Sequence, residues 1–90
     1  MEDQERHMRE ELVILDALVQ AIARREEVFQ AIEDSEDVDE AIRRVAQLLG
    51  VGELASRVVL DAQARRFTRD QRQKLTSRAE ELRAMLAAGD

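Results

Sequence analysis

Residues 58–68 read VVLDAQARRFT, and the prediction of the fold begins from this segment. Val58, Val59 and Ala62 recur at near-helical spacing, and this spacing predicts an apolar face on a short buried helix. Two arginines follow at positions 65–66, where the helix is expected to end and where cations are favourable against the helix dipole. The segment therefore predicts a short helix and a corner that form a wall against which longer helices pack.

The composition favours long helices and excludes cysteine chemistry. The chain has 90 residues with three Gly and no Pro, Cys, Trp or Tyr. The absence of Pro favours uninterrupted helices, and the absence of Cys excludes disulfides, thiolate nucleophiles and cysteine zinc sites. A chain this short buries only about 60–65% of its unfolded surface, so we expect one domain that is very regular or gains stability by dimerising.

The charge and hydropathy of the chain limit its partners. The formal net charge is −6, which disfavours direct nucleic-acid binding because phosphates carry the same sign of charge. The first residues, EDQERHMREE from position 2, lack the apolar centre of a signal peptide. No apolar run approaches the roughly 20 residues that span a bilayer. We therefore expect a soluble, cytoplasmic protein without a membrane partner.

The two ends of the chain predict a pair of long helices. The first helix is expected over about 3–24, with apolar residues spaced by three and four: Met8, Leu12, Leu15, Leu18, Val19 and Ile22. Its second half, LVILDALVQAIA, is apolar on most sides and is expected to enter a core. The last helix, about 69–88, carries a heptad-like series at Leu75, Ala79, Leu82 and Leu86. Such a narrow seam favours pairing of the two helices as an antiparallel coiled-coil arm.

Three shorter helices are predicted between the ends of this arm. A polar break or tight bend at 24–27 precedes a helix that ends near Ser35. The next helix begins with Asp37 as N-cap and Glu40 reaching back, and it ends at Gly50. Gly52 starts a fourth helix, expected over about 53–66, and Thr68 with Gln71 forms a second capping box. The predicted fold is all-α: a single domain, 1–90, in which a knob of about 25–68 caps the arm.

The ordered series of segments resembles the tip of the coiled-coil arm in the A subunit of bacterial DNA gyrase and topoisomerase IV. LVILDALVQAIARREEVFQAI at 12–32 is similar to that family's LxxLxxLxxAL helix and its short D-E-V-I-like segment. The segment 35–41 resembles its Ser-x-(Thr/Asp)-x-(Asp/Glu)-Glu-Ala start. LGVGE at 49–53 stands where the family has F-G-L-S-E, and VVLDAQARRFT stands where it has A-I-L-D-M-R-L-R-R-L-T. The resemblance covers roughly 9–86.

The resemblance implies that two copies meet through the knob, as in the family's exit gate for transported DNA. The implied dimer interface comprises Val58, Val59, Ala62, Ala64 and Arg65. Ala62 and Ala64 replace a Met and a Leu of the family's pattern, Gln63 replaces an Arg, and 69–70 reads Arg-Asp instead of Gly-Leu. The chain has no tyrosine, so the family's DNA-cleaving nucleophile is missing. We therefore expect a noncatalytic homodimerisation module, or one that acts on a gyrase-type partner.

An enzyme of the small all-helical chorismate mutase type is the alternative. Asp16 and Arg25 have the spacing found in the first helix of those enzymes, which hold a dicarboxylate in a cage of Arg and Lys. This chain has a single lysine, Lys74, and its first helix is expected to break where theirs continues. No phosphate loop, nucleophile–base pair or metal-ligand spacing occurs, and His7 has only nearby glutamates. We therefore expect no catalytic residue, cofactor or metal, and we expect Asp61 to bond a helix N-terminus or Arg65.

Overall fold

The computed structural model describes residues 2–63 and 67–89, and within these ranges it contains helices and no strand. The helices are α1 (Glu2–Ala23), α2 (Arg25–Glu33), α3 (Val38–Leu49), α4 (Glu53–Ala62) and α5 (Arg69–Gly89). The all-α class predicted from the sequence is confirmed.

The bend between α1 and α2 is a single residue, Arg24, within the segment 24–27 where the sequence predicts a polar break or tight bend. Its backbone leaves helical geometry (φ −114°, ψ 38°), and its side chain donates to the Leu48 carbonyl oxygen at 2.9 Å and to Glu27 at 2.6 Å. The side-chain hydrogen bond from Arg24 is the main reason that the pKa of Glu27 is lowered. Arg24 thus ties the α1–α2 bend to the last turn of α3, whose carbonyl groups have no partner within their own helix.

Both helix starts predicted from capping patterns are confirmed. The Asp37 side chain accepts a hydrogen bond from the Glu40 backbone N–H at 2.8 Å. The Glu40 carboxylate, however, accepts from the N–H of Glu36 at 2.8 Å, one residue earlier than a capping box requires. Thr68 and Gln71 form the full reciprocal box, with donor–acceptor distances of 2.9 and 3.1 Å.

Gly50 ends α3 in the left-handed conformation, with φ 66°. The backbone N–H groups of Gly50 and Val51 both donate to the Ala46 carbonyl oxygen. The left-handed residue reverses the chain within a few residues, so that α4 packs against α3. The predicted C-terminal glycine of α3 is therefore confirmed, and it positions α4.

The main core lies where α1, α2, α3 and α4 meet. Its buried members are Ala17, Ala21, Val28, Val45, Leu49, Ala55 and Val59. Ser56 is buried beside them, and its hydroxyl donates to the Ile42 carbonyl oxygen at 2.7 Å, which links α4 to α3. The second half of α1 therefore enters a core, as its apolar sequence predicts.

α1 and α5 make the most extensive contact between two helices of the described chain. Ala79 and Leu82 of α5 are buried in this contact, and the seam residues Leu12 and Leu15 of α1 are half-buried. Gly89 lies beside the Glu5 carboxylate, at the opposite end of the pair from the contact of α1 with α4, so the two helices run in opposite directions. Within 2–63 and 67–89, α5 packs against no other helix.

Candidate interaction surface

The helix that carries the predicted contact residues, α4, has one face in the core. Val59 is fully buried there, at 0% exposure, and Val58 is half-buried. The side chain of Val59 therefore belongs to the wall that the sequence predicts and lies away from the surface. The reason is that α4 packs against α1 and α3 at once, so the residue between these two neighbours is enclosed.

An open groove lies beside this wall, between α1, α4 and the start of α5. It is lined by Leu18, Val58, Asp61, Ala62, Phe67 and Leu75. The sequence predicts Val58 and Ala62 at the contact, and the structure places both at the groove. The sequence places Leu18 and Leu75 in the first and last helices and does not predict them at this contact. Their helical periodicity predicts that they are apolar and inward-facing, but it cannot show that they meet at the corner of α4 and α5.

The remaining predicted contact residues, Ala64 and Arg65, lie outside the described residues. The same holds for Arg66 and for a contact of Asp61 with Arg65. The prediction that the fourth helix extends to about residue 66 is wrong, because α4 ends at Ala62 and the Gln63 N–H donates to the Leu60 carbonyl oxygen. Asp61 itself is exposed at the edge of the groove.

Acidic side chains continue from Asp61 across the outer face of α4 and α3. The Arg57 guanidinium has a raised pKa, chiefly because it donates hydrogen bonds to Glu53, at 2.8 Å for the closest pair. Asp39 and Asp61 add to the effect by their charge. Arg57 is paired with Glu53, and Asp61 is an exposed carboxylate at the edge of the groove.

Basic side chains lie on the other side of the groove, at the start of α5. Arg69, Arg72 and Lys74 are all exposed. One Arg72 nitrogen donates to the Phe67 carbonyl oxygen at 2.9 Å, and Lys74 pairs with Asp70 at 3.1 Å. Among the described residues, no carboxylate lies within ion-pair distance of Arg69 or Arg72. Within that part of the chain, these two guanidinium groups are therefore available to an acidic partner.

Two ion pairs that the sequence analysis missed join α1 to α5. Arg78 bonds Glu11 at 3.0 Å, and Arg83 bonds Asp16 at 2.7 Å. The hydrogen bond from Arg78 is the main reason that the pKa of Glu11 is lowered. Glu11 and Asp16 lie about 140° apart around α1, so the pairs flank the apolar seam. Charged residues at the positions that flank a heptad seam often form ion pairs between the helices, so this pattern could have predicted the two pairs from the sequence.

The residues of the enzyme alternative are engaged separately. Asp16 accepts from Arg83, Arg25 is exposed at the start of α2, and Lys74 pairs with Asp70. No hydrogen bond or ion pair in the described ranges joins Asp16, Arg25 and Lys74 to one another.

Neither a metal site nor a membrane-spanning helix is found in the described part of the chain. No group of three or more His, Cys, Asp or Glu side chains there is arranged to hold a metal ion, and His7 is exposed. No helix there combines the length and the apolar character needed to cross a membrane. Comparisons of the chain with protein-family models, with curated proteins and with solved structures gave no match.

Proposed function

We propose that the chain is a noncatalytic homodimerisation module that uses the groove beside α4 as its contact surface. In this proposal, α1 and α5 form a two-helix coiled-coil arm, and α2, α3 and α4 form a knob at its end. Two copies associate around a two-fold axis, with the groove of one copy in contact with the groove of the other. Val58 and Ala62 of each copy contribute to the contact, together with Phe67.

The observation that carries the proposal is the groove itself. Apolar side chains from three helices converge there, and Val58, Ala62 and Phe67 are each only half-buried within one chain. A second copy would remove their remaining surface from water, and such burial contributes about 25 cal/mol per Å² of apolar area. A small chain has a limited core of its own, so this gain matters more to it than to a large domain.

Small side chains at the groove also favour close approach of two helices. Ala62 has no side-chain atom beyond Cβ, so the backbone of a partner helix can pack near α4. The family resemblance implies a contact at this same helix, with larger residues at the corresponding positions. The proposed contact is therefore a closer helix pair than the one that the family pattern implies.

Sedimentation equilibrium tests the proposal directly. We expect the unmodified chain to show a concentration-dependent mass that approaches twice the 10.3 kDa of one chain. Ala62→Arg places a long charged side chain in the groove, and we expect it to yield monomers with unchanged helicity by circular dichroism. Ala84→Arg, on an exposed site of α5, is the matched control and should dimerise normally. A monomeric unmodified chain, or a dimer that tolerates Ala62→Arg, would contradict the proposal.

A gyrase-type partner is the second candidate, and the ordered resemblance over 9–86 favours it. The same groove would then meet the gate of the partner subunit. Co-purification of the chain with a purified gyrase A subunit separates this candidate from self-association. The gyrase candidate requires a complex between the chain and the gyrase A subunit, and Ala62→Arg should abolish it. A chain that only forms homodimers gives no complex with that subunit at any concentration tested.

A further inference from the structure

The charge of the chain is strongly segregated along its sequence. Positions 65–78, RRFTRDQRQKLTSR, contain six basic residues and one acidic residue, a net charge of +5. The whole chain has a net charge of −6, so removal of this +5 leaves −11 on the remaining residues. An overall acidic balance therefore conceals one basic segment, and this segment includes two of the residues that line the groove, Phe67 and Leu75.

Two basic residues of this segment, Arg69 and Arg72, lie close in sequence to the groove residues Phe67 and Leu75. Arg69 follows Phe67 by two residues, and Arg72 precedes Leu75 by three residues on a neighbouring part of the α5 surface. Arg69 and Arg72 are themselves three residues apart, so they share one face of α5. Both are exposed, and neither is paired with a carboxylate within the described part of the chain. We call Arg69 and Arg72 the basic rim.

The opposite rim is acidic. Asp61 lines the groove from α4, and its side chain is exposed. We call Asp61 the acidic rim.

The two rims do not neutralise each other within one chain. In the described ranges, α5 packs only against α1, and no ion pair joins α5 to α3 or α4. Within these ranges, neither rim is paired with the other. The groove has apolar side chains at its centre and charged side chains at its edges. Protein interfaces commonly have the same arrangement, an apolar centre within a polar edge.

If a two-fold axis passes through the groove, the basic rim of each copy lies opposite the acidic rim of the other. In such a dimer the same surface patch of each copy meets its equivalent, and a residue on one rim faces the opposite rim of the partner. We infer that the groove is a self-complementary interface in which Arg69 of each copy pairs with Asp61 of the other. This inference rests on the proposed homodimer and names the contacts that fix its register. Like charges would face each other in any alignment that superposed the basic rims, so those alignments are disfavoured.

The test uses two single charge reversals, Arg69→Glu and Asp61→Arg. Arg69 is the first residue of α5 and Asp61 lies in the last turn of α4. An acidic residue at a helix start and a basic one at a helix end are both favourable to the dipole, so neither change should harm the fold. Arg25→Glu is the matched control, because it makes the same change in net charge as Arg69→Glu at the first residue of α2.

Each reversal alone places two repulsive pairs in its own homodimer. Exposed pairs contribute a few-fold each to affinity, and a reversal replaces attraction with repulsion at two symmetric places, so we expect the dissociation constant to rise roughly tenfold or more. A mixture of the two variants behaves differently. In the mixed dimer, the carboxylate introduced at position 69 of one copy faces the guanidinium introduced at position 61 of the other. At the second place, the unmodified Arg69 faces the unmodified Asp61.

The expected result is preferential formation of the mixed dimer, measured by sedimentation equilibrium or native mass spectrometry with one chain isotope-labelled. Its dissociation constant should return to within about threefold of the unmodified value, and added salt should weaken both the mixed and the unmodified dimer. Arg25→Glu should dimerise normally and should not rescue Asp61→Arg.

Two results overturn the inference and remain distinct from failure of the proposed function. If the unmodified chain dimerises but either reversal leaves the affinity unchanged, the rims do not pair in this way. If both reversals weaken the dimer but their mixture stays equally weak, the register is not the one inferred. In both cases the homodimer stands, whereas a monomeric unmodified chain removes the proposed function and this inference together.

Discussion

Truncation of Leu82 to Ala probes the packing of α5 against α1. Among the described residues, Leu82 is the largest side chain that is fully buried, at 0% exposure, and it lies in the seam between the two helices. Core Leu→Ala substitutions cost about 2–5 kcal/mol, and the cost grows with the cavity that remains. Because α5 packs against no other helix in the described ranges, it can move toward α1 and shrink the cavity. We therefore expect a loss near the lower end, about 2–3 kcal/mol.

The loss should be large relative to the total stability of the chain. Small domains unfold with about 5–15 kcal/mol, and one kcal/mol shifts the midpoint of a domain of this size by roughly 4–8 °C. We expect Leu82→Ala to lower the thermal midpoint by roughly 10–20 °C. Urea unfolding followed by circular dichroism gives the free energy directly. It should be measured at one fixed protein concentration, because dimerisation adds to the apparent stability.

Met85→Ala is the matched control for this experiment. Met85 lies on the same helix, three residues from Leu82, and is 46% exposed. We expect its truncation to cost less than about 1 kcal/mol, since much of its surface is already in water. If Leu82→Ala costs no more than Met85→Ala, Leu82 is not enclosed between α1 and α5, and the reasoning about this seam is refuted.

Three further predictions, the first with a control substitution, each test a single feature of the fold. Gly50→Ala should lower the free energy of unfolding, measured with urea, by about 1 kcal/mol, because a residue with a Cβ is strained at φ 66°. The strain is in the backbone, since the added Cβ would meet no atom within 4 Å. Gly52→Ala is the control and should cost less, because Gly52 has φ −79°. Ser56→Ala should cost about 0.5–1.5 kcal/mol by removing the hydroxyl that bonds the Ile42 carbonyl oxygen, and an unchanged stability would show that this bond contributes nothing. The lowered pKa of Glu11 gives stability that is present above about pH 4.5 and is lost as the pH falls through the lowered pKa. Glu11→Gln should therefore flatten the decline of the thermal midpoint below about pH 4.5, and an unchanged decline would contradict this assignment.

Local signals in the sequence are sufficient to place most helix ends. The caps at Asp37 and Thr68 and the terminal glycine at Gly50 each act through backbone groups within a few residues, so a short window of sequence contains the whole interaction. The bend at Arg24 is predicted only to within residues 24–27, because its cause is not local. The side chain of Arg24 bonds the carbonyl of Leu48, which is 24 positions away and cannot be paired with it by pattern alone.

The candidate site depends still more on contacts that are distant in sequence. Periodicity predicts that Val58 and Val59 are both apolar helix residues, but it does not say which of them is enclosed by two neighbouring helices. Leu18 and Leu75 come together only because α1 and α5 run in opposite directions past the end of α4. The groove is therefore a property of the helix arrangement, and the segment 58–68 supplies only part of its lining.

The net charge of the chain is a poor guide to what its surfaces can bind. Electrostatic interactions in water are screened beyond about 8 Å at physiological ionic strength, so a partner at the groove responds to the rims and little to the distant acidic residues. The whole-chain value of −6 disfavours a phosphate backbone spread over the whole protein. It does not describe the start of α5, where Arg69 and Arg72 stand exposed beside an apolar floor. In the proposed dimer, these guanidinium groups would meet the acidic rim of a second copy, so the test of the interface is the local charge at the groove and not the total charge of the chain.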